Sequence, residues 1–154
     1  MRPALRLTRR NDGGFRLEGA ATAPIEGIPH ESGFLVQGGS DGRLNWNASE
    51  RGWLLTASDG RGEAGRTTAT CADSALAPSS ILLADGRLFR LAPVGASQPH
   101  VGLGRFDVPG AFAVAGPSAE GWTFERTPAG EWLEAGPELW ILASVEIGRM
   151  DGWW

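Results

Sequence analysis

The chain has 154 residues, 42% apolar and 21% charged, the balance of one ordinary globular domain, which excludes a disordered segment. The net charge is −4, from fourteen basic residues, all arginine, and eighteen acidic ones; this lacks the basic face that a duplex nucleic-acid binder needs. No run approaches the ~18 apolar residues of a membrane-crossing helix, and a single cysteine, Cys71, rules out an internal disulfide.

The first stretch, "MRPALRLTRR", is basic but is not followed by the apolar segment of a secretion signal. The expected location is therefore cytoplasmic, or within an assembled particle. "LRLTRRNDGGFRLEG" then reads as strand, Asn-Asp-Gly-Gly turn, strand. "FLVQGGSDGRLNW" repeats the scheme and contains a literal G-x-S-x-G around Ser40. A hydrolase elbow needs a helix directly after its serine. Here Arg43-Leu44-Asn45-Trp46-Asn47 alternates like a strand, so the stretch reads as a hairpin turn. "ILLADGRLFRL" carries Asp85-Gly86 between apolar runs, a strong hairpin signal. "GRFDVPGAFAVAG" turns at Pro109-Gly110, and "WTFERTPAGEWLEA" at Pro128-Ala129-Gly130. In "LWILASVEI", Leu139, Ile141, Ala143, Val145 and Ile147 alternate as a strand would; a helix opening at Pro137-Glu138 is the lesser alternative. Many short strands joined by glycine-rich turns predict a single all-β domain over 1–154.

Two markers recur with one period. Asp41-Gly42-Arg43-Leu44 and Asp85-Gly86-Arg87-Leu88 are identical and 44 residues apart, and Ala129-Gly130 follows at the same step. Gly60-Arg61, Gly104-Arg105 and Gly148-Arg149 recur at that step too, each opening an Arg-x-acid triplet read as a structural pair at a strand end. They predict three repeats, about 16–60, 61–104 and 105–148, with Ser40 sharing its place with Ala84 and Pro128. Three units of this size in a chain of this length resemble the β-trefoil. That resemblance implies a pseudo-threefold antiparallel barrel of six strands capped by six more. The Gln-x-Trp motif of ricin-type lectins is absent from all three units. A β-prism and a β-sandwich are the alternative architectures.

Little points to catalysis. His30 and His100 are not at metal-ligand spacing, Cys71 sits among small residues, and no phosphate loop precedes a helix, so no cofactor or metal is expected. Arg2-Pro3-Ala4-Leu5-Arg6 with Asn47-Ala48-Ser49-Glu50-Arg51-Gly52 is similar to the two motifs of PilZ domains; that resemblance implies cyclic di-GMP binding as a minor alternative. The first three residues of the second motif are also a formal glycosylation sequon.

Seven tryptophans carry the rest. Trp122, Trp132 and Trp140 read as core. The middle repeat has none, so others are expected to serve surfaces of the first and third. The chain is therefore expected to be a non-enzymatic binding or assembly module, a protein-partner-binding component of a larger complex, with a carbohydrate-binding domain as the alternative. The expected binding residues are Asp41, Arg43, Trp46, Trp53, Trp153 and Trp154. Arg149-Met150-Asp151 is expected to begin a fourth repeat copy and pair with the strand Leu5 to Arg9. Trp153-Trp154 then either pack back on the domain or form a docking patch.

Overall fold

Alternation of apolar and polar residues sets twelve short strands, and one stretch that is apolar on all sides sets a helix. A computed structural model describes residues 4–19, 23–38, 41–69, 78–94, 100–106, 110–127 and 136–154. The strands are β1 (Ala4–Arg9), β2 (Phe15–Glu18), β3 (Ile25–His30), β4 (Gly33–Gln37), β5 (Gly42–Asn47) and β6 (Gly52–Ala57). They continue with β7 (Gly62–Ala69), β8 (Ser79–Leu83), β9 (Leu88–Val94), β10 (His100–Arg105), β11 (Ala113–Pro117) and β12 (Gly121–Arg126), and the helix is α1 (Gly136–Met150).

Each strand pairs antiparallel with its neighbours in sequence, and β1 pairs with β12 through Leu5↔Phe124 and Leu7↔Trp122. The result is a closed up-and-down barrel with no free edge. All-β character is as expected. The trefoil arrangement is not: all twelve strands lie in one barrel wall, rather than six in a barrel and six in a cap. Closure is also corrected, since β12 and not residues 149–151 lies against β1.

Odd-numbered strands run toward one rim, called upper here, and even-numbered strands run back to the lower rim. An eight-stranded barrel is filled by its own side chains, whereas twelve strands enclose a wider lumen. The helix α1, about 22 Å long at 1.5 Å per residue, fills that lumen. Every residue from Leu139 to Gly148 is buried, including Trp140, Leu142, Ser144 and Glu146 between the alternating apolar positions. A helix buried on all sides needs no polar face, so its pattern imitated a strand, and the strand expected over these residues is corrected to a helix. Strand side chains such as Leu7, Phe15, Leu17, Ile25, Leu44 and Leu91 meet it from the wall, while charged residues such as Arg16 and Arg43 face outward. Apolar inside and charged outside is the reverse of a lipid-exposed barrel.

The repeat markers divide. Asp41-Gly42-Arg43-Leu44 leads into β5 and Asp85-Gly86-Arg87-Leu88 into β9, four strands on, both at the lower rim. Ala129 lies outside the described residues. Gly60-Arg61 is in a turn, Gly104-Arg105 ends β10, and Gly148-Arg149 is inside α1, so the second marker falls on three unlike places.

Candidate functional site

The upper rim is closed by aromatic side chains brought there by the C-terminus of α1. Gly152, at φ +77°, lets the helix end in a Schellman turn: Gly152 N–H donates to Arg149 O at 3.1 Å, and Trp153 N–H to Gly148 O at 2.8 Å. This turn folds Trp153 and Trp154 back over the lumen. Trp154 packs on Phe34 (4.9 Å between centroids), Phe15 (6.1 Å), Trp53 (6.4 Å) and Trp153 (5.6 Å). Trp46 packs edge-on against Trp53, at 5.3 Å. Arg9 donates to the Trp153 carbonyl at 2.9 Å, and Trp122 Nε1–H to Asp151 at 2.9 Å, tying the turn to β1 and β12.

Below this cap sits a buried polar cluster. Glu146 on α1 is 0% exposed and pairs with Arg149 one turn on. Thr67 on β7 donates its hydroxyl to Glu146 at 3.2 Å and accepts the Trp53 N–H at 2.8 Å. Burial pushes the Glu146 carboxyl above its ordinary value, against the pull of Arg149 and Thr67. Among the described residues, Trp53 Nε1, Ser79 Oγ, Ser144 Oγ and Arg149 Nη2 are buried without a hydrogen-bond partner. The sequence did not flag this cluster; the one available signal was a carboxylate, Glu146, seven residues after the start of the largely apolar run at Leu139.

The expected binding residues divide: the four tryptophans gather in and around the cap, while Asp41 and Arg43 lie near the lower rim. Trp53 is buried, Trp154 is half-buried as part of the cap, and Trp46 and Trp153 are half-buried at its border. Arg43 is exposed on the outer face of β5, near the lower rim. Asp41 accepts the Gly38 N–H at 3.1 Å and so shapes the turn before β5. Trp122 and Trp140 are core, and Trp132 lies outside the described residues, as do Cys71 and Ser40. A strand, not a helix, follows Ser40.

The two PilZ-like pieces are also apart. Arg6 is on the outer face of β1, 4.0 Å from Glu120, while Asn47–Gly52 forms the turn between β5 and β6, four strands around the wall. Asn47 Oδ1 accepts from Ser49 N–H at 3.1 Å and Ser49 Oγ at 2.7 Å, and Gly52 has no room for a β-carbon against the Thr67 carbonyl. Arg2 and Pro3 lie outside the described residues. No group of three or more metal-ligating side chains occurs among the described residues.

Two of the open concavities on the surface are lined by described residues. One, of about 250 Å3, lies at the lower rim between Arg61, Glu63, Asp85, Arg87 and Glu138. The other, of about 410 Å3, lies at the upper rim beside Arg10, Asp12, Arg16 and Glu26. In it Arg10 pairs with Glu26 (2.6 Å) and Asp12 (3.0 Å), and Arg16 with Glu26 (2.8 Å), so its charges are mutually satisfied.

The outer wall over β8, β9 and β10 is different. Leu82 (41% exposed) and Phe106 (57%) are the exposed large apolar residues among those described. Leu82 stands opposite Leu88, and Phe106 donates its N–H to Leu88 O at 3.1 Å. The three therefore form one outward row, on strands that carry Arg90 as their one outward charge among the described residues. No helix among the described residues is long and apolar enough to cross a membrane. Comparison with protein-family profiles, curated proteins and solved structures returned no match.

Proposed function

We propose that this protein is a non-enzymatic binding and assembly module that takes up a protein partner on the outer wall of its barrel. The observation that carries this reading is the outward Leu82–Leu88–Phe106 row, which holds both of the exposed large apolar residues among those described, whereas other outward apolar side chains such as Ile28, Leu35 and Leu54 are half-buried. Two further features support it. The lumen is occupied by α1, which leaves recognition to the outer surfaces. The closed wall offers no strand edge, so a partner must engage side chains and not the backbone ladder.

A second reading, a glycan stacked on an indole, is supported by the half-exposed Trp46 and Trp153 at the upper rim. The two separate in one experiment. The tagged chain and its Leu82→Ser/Phe106→Ser variant are recovered from their native cells and sized by light scattering. The protein-binding reading predicts an assembly larger than the monomer that the variant loses while keeping its melting temperature. Assembly unchanged in the variant, with glycan-dependent quenching of tryptophan fluorescence, would favour the glycan reading and sink the first.

A further inference from the structure

Resting on that reading, we infer that the β8–β10 wall is a docking face for an amphipathic helix with acidic residues along one flank. The spacing comes first. Leu82 on β8 stands opposite Leu88 on β9, and Phe106, the residue that follows β10, bonds to Leu88 from the other side; neighbouring strands lie ~4.8 Å apart, so the row spans about 10 Å. A helix places residues i and i+7 about 10.5 Å apart on one face, with i+3 or i+4 between them. Three apolar side chains at that spacing meet the three members of the row one to one. An extended strand does not fit as well, because its same-face residues recur every ~6.8 Å and its backbone would find no open edge.

The charge comes second. Arg90 is two residues beyond Leu88 on the same outward face, about 7 Å along the strand, and has no ion-pair partner among the described residues. The outward positions of the three strands carry no carboxylate. Beside Leu82, across the ladder on β7, stands Arg66, which pairs with Glu63 and, at 3.1 Å, with Glu50. The outer face around Arg16 is, by contrast, laced with internal ion pairs to Glu18 and Glu26. An apolar row flanked by a guanidinium with no ion-pair partner among the described residues selects a carboxylate on the side of the partner that faces Arg90.

The test uses the full chain and two labelled, alanine-based helical peptides in fluorescence anisotropy. Both carry leucines at i, i+4 and i+7; one has a flank of glutamates and the other a flank of lysines. The glutamate peptide should bind, weaken with salt, and lose about tenfold or more in affinity on Phe106→Ser, as for an aromatic anchor. Arg90→Glu should reverse the preference to the lysine peptide. Phe106 and Arg90 are exposed, so both variants should keep the wild-type melting temperature. Equal binding of the two peptides, or binding indifferent to Phe106→Ser, overturns the inference. So does concentration-dependent self-association lost in the same variant, which would assign the face to a second copy of this chain. If the native assembly depends on Phe106 but neither peptide binds, the wall-binding reading stands and the helical partner falls. If neither depends on Phe106, both fall.

Discussion

The Trp154 indole occupies the space a β-carbon on Gly148 would need, and it donates Nε1–H to the Val145 carbonyl at 3.1 Å. The helix therefore carries a glycine in its last turn where alanine would be the better helix former by roughly 1 kcal/mol. Gly148→Ala is expected to lower stability despite that preference, because the indole must leave its place among Phe15, Phe34 and Trp53. Trp154→Ala should cost about 2–4 kcal/mol in chemical denaturation, by loss of a large apolar side chain that is only part-buried. Adding Gly148→Ala to Trp154→Ala should then cost nothing further. Additive losses would show that the two residues are not in contact.

Glu146 gives the fold a pH dependence of defined sign. Its ordinary value is 4.5 and burial raises it in the folded protein. The folded state thus holds this proton more tightly than the unfolded state. Its contribution is fully present below pH 4.5 and is lost as the pH rises through the raised folded value. Melting temperatures measured upward from pH 4.5 should fall for the wild type relative to Glu146→Gln, whose glutamine does not titrate. A wild type that gains on the variant over that range would reverse the sign and refute the assignment.

Arg149 is the charge that keeps this carboxyl tolerable inside the barrel. Removing one member of a buried pair leaves the other uncompensated, so Arg149→Met should destabilise by about 3–5 kcal/mol. Combining it with Glu146→Gln should recover most of that loss. A double variant no more stable than Arg149→Met alone would show that the arginine acts through packing.

Glu31 sits at φ +54° in the two-residue connection between the paired residues His30 and Gly33, a geometry in which glycine is preferred. Glu31→Gly should stabilise by about 0.5–1 kcal/mol, the strain of a left-handed residue less the entropy that glycine brings to the unfolded chain. Its weak contact with His30, at 3.8 Å and exposed, offsets little. A loss of stability would place the turn in a different conformation.

The hairpins were legible because their signals are local. Asp85-Gly86 does join β8 to β9, Asn11-Asp12-Gly13-Gly14 does join β1 to β2, and the alternation that flanks them sets which residues face inward. Two things were not. The closure of β1 on β12 joins residues more than a hundred positions apart, and no local pattern encodes it. The interior helix was misread because it is buried on every side, which removes the 3.6-residue period that a half-exposed helix shows. The site followed the same division. Trp46, Trp53, Trp153 and Trp154 do gather, but as a cap over the lumen, while Leu82 and Phe106 looked like ordinary strand and loop residues until the register aligned them with Leu88.

The barrel is a solid module with α1 as its core, and native-state amide hydrogen exchange across residues 139–148 is the measurement that decides between this and a hollow barrel. These amides lie inside a closed wall and should open only when the whole wall opens. The predicted result is one slowest class of exchange over α1, with an opening free energy equal to that of global unfolding and equal to that of β1 and β12. Exchange of α1 through a cheaper local opening, while the strands stay protected, would contradict it. The barrel would then be a chamber with a movable plug, and recognition would have to be sought inside it.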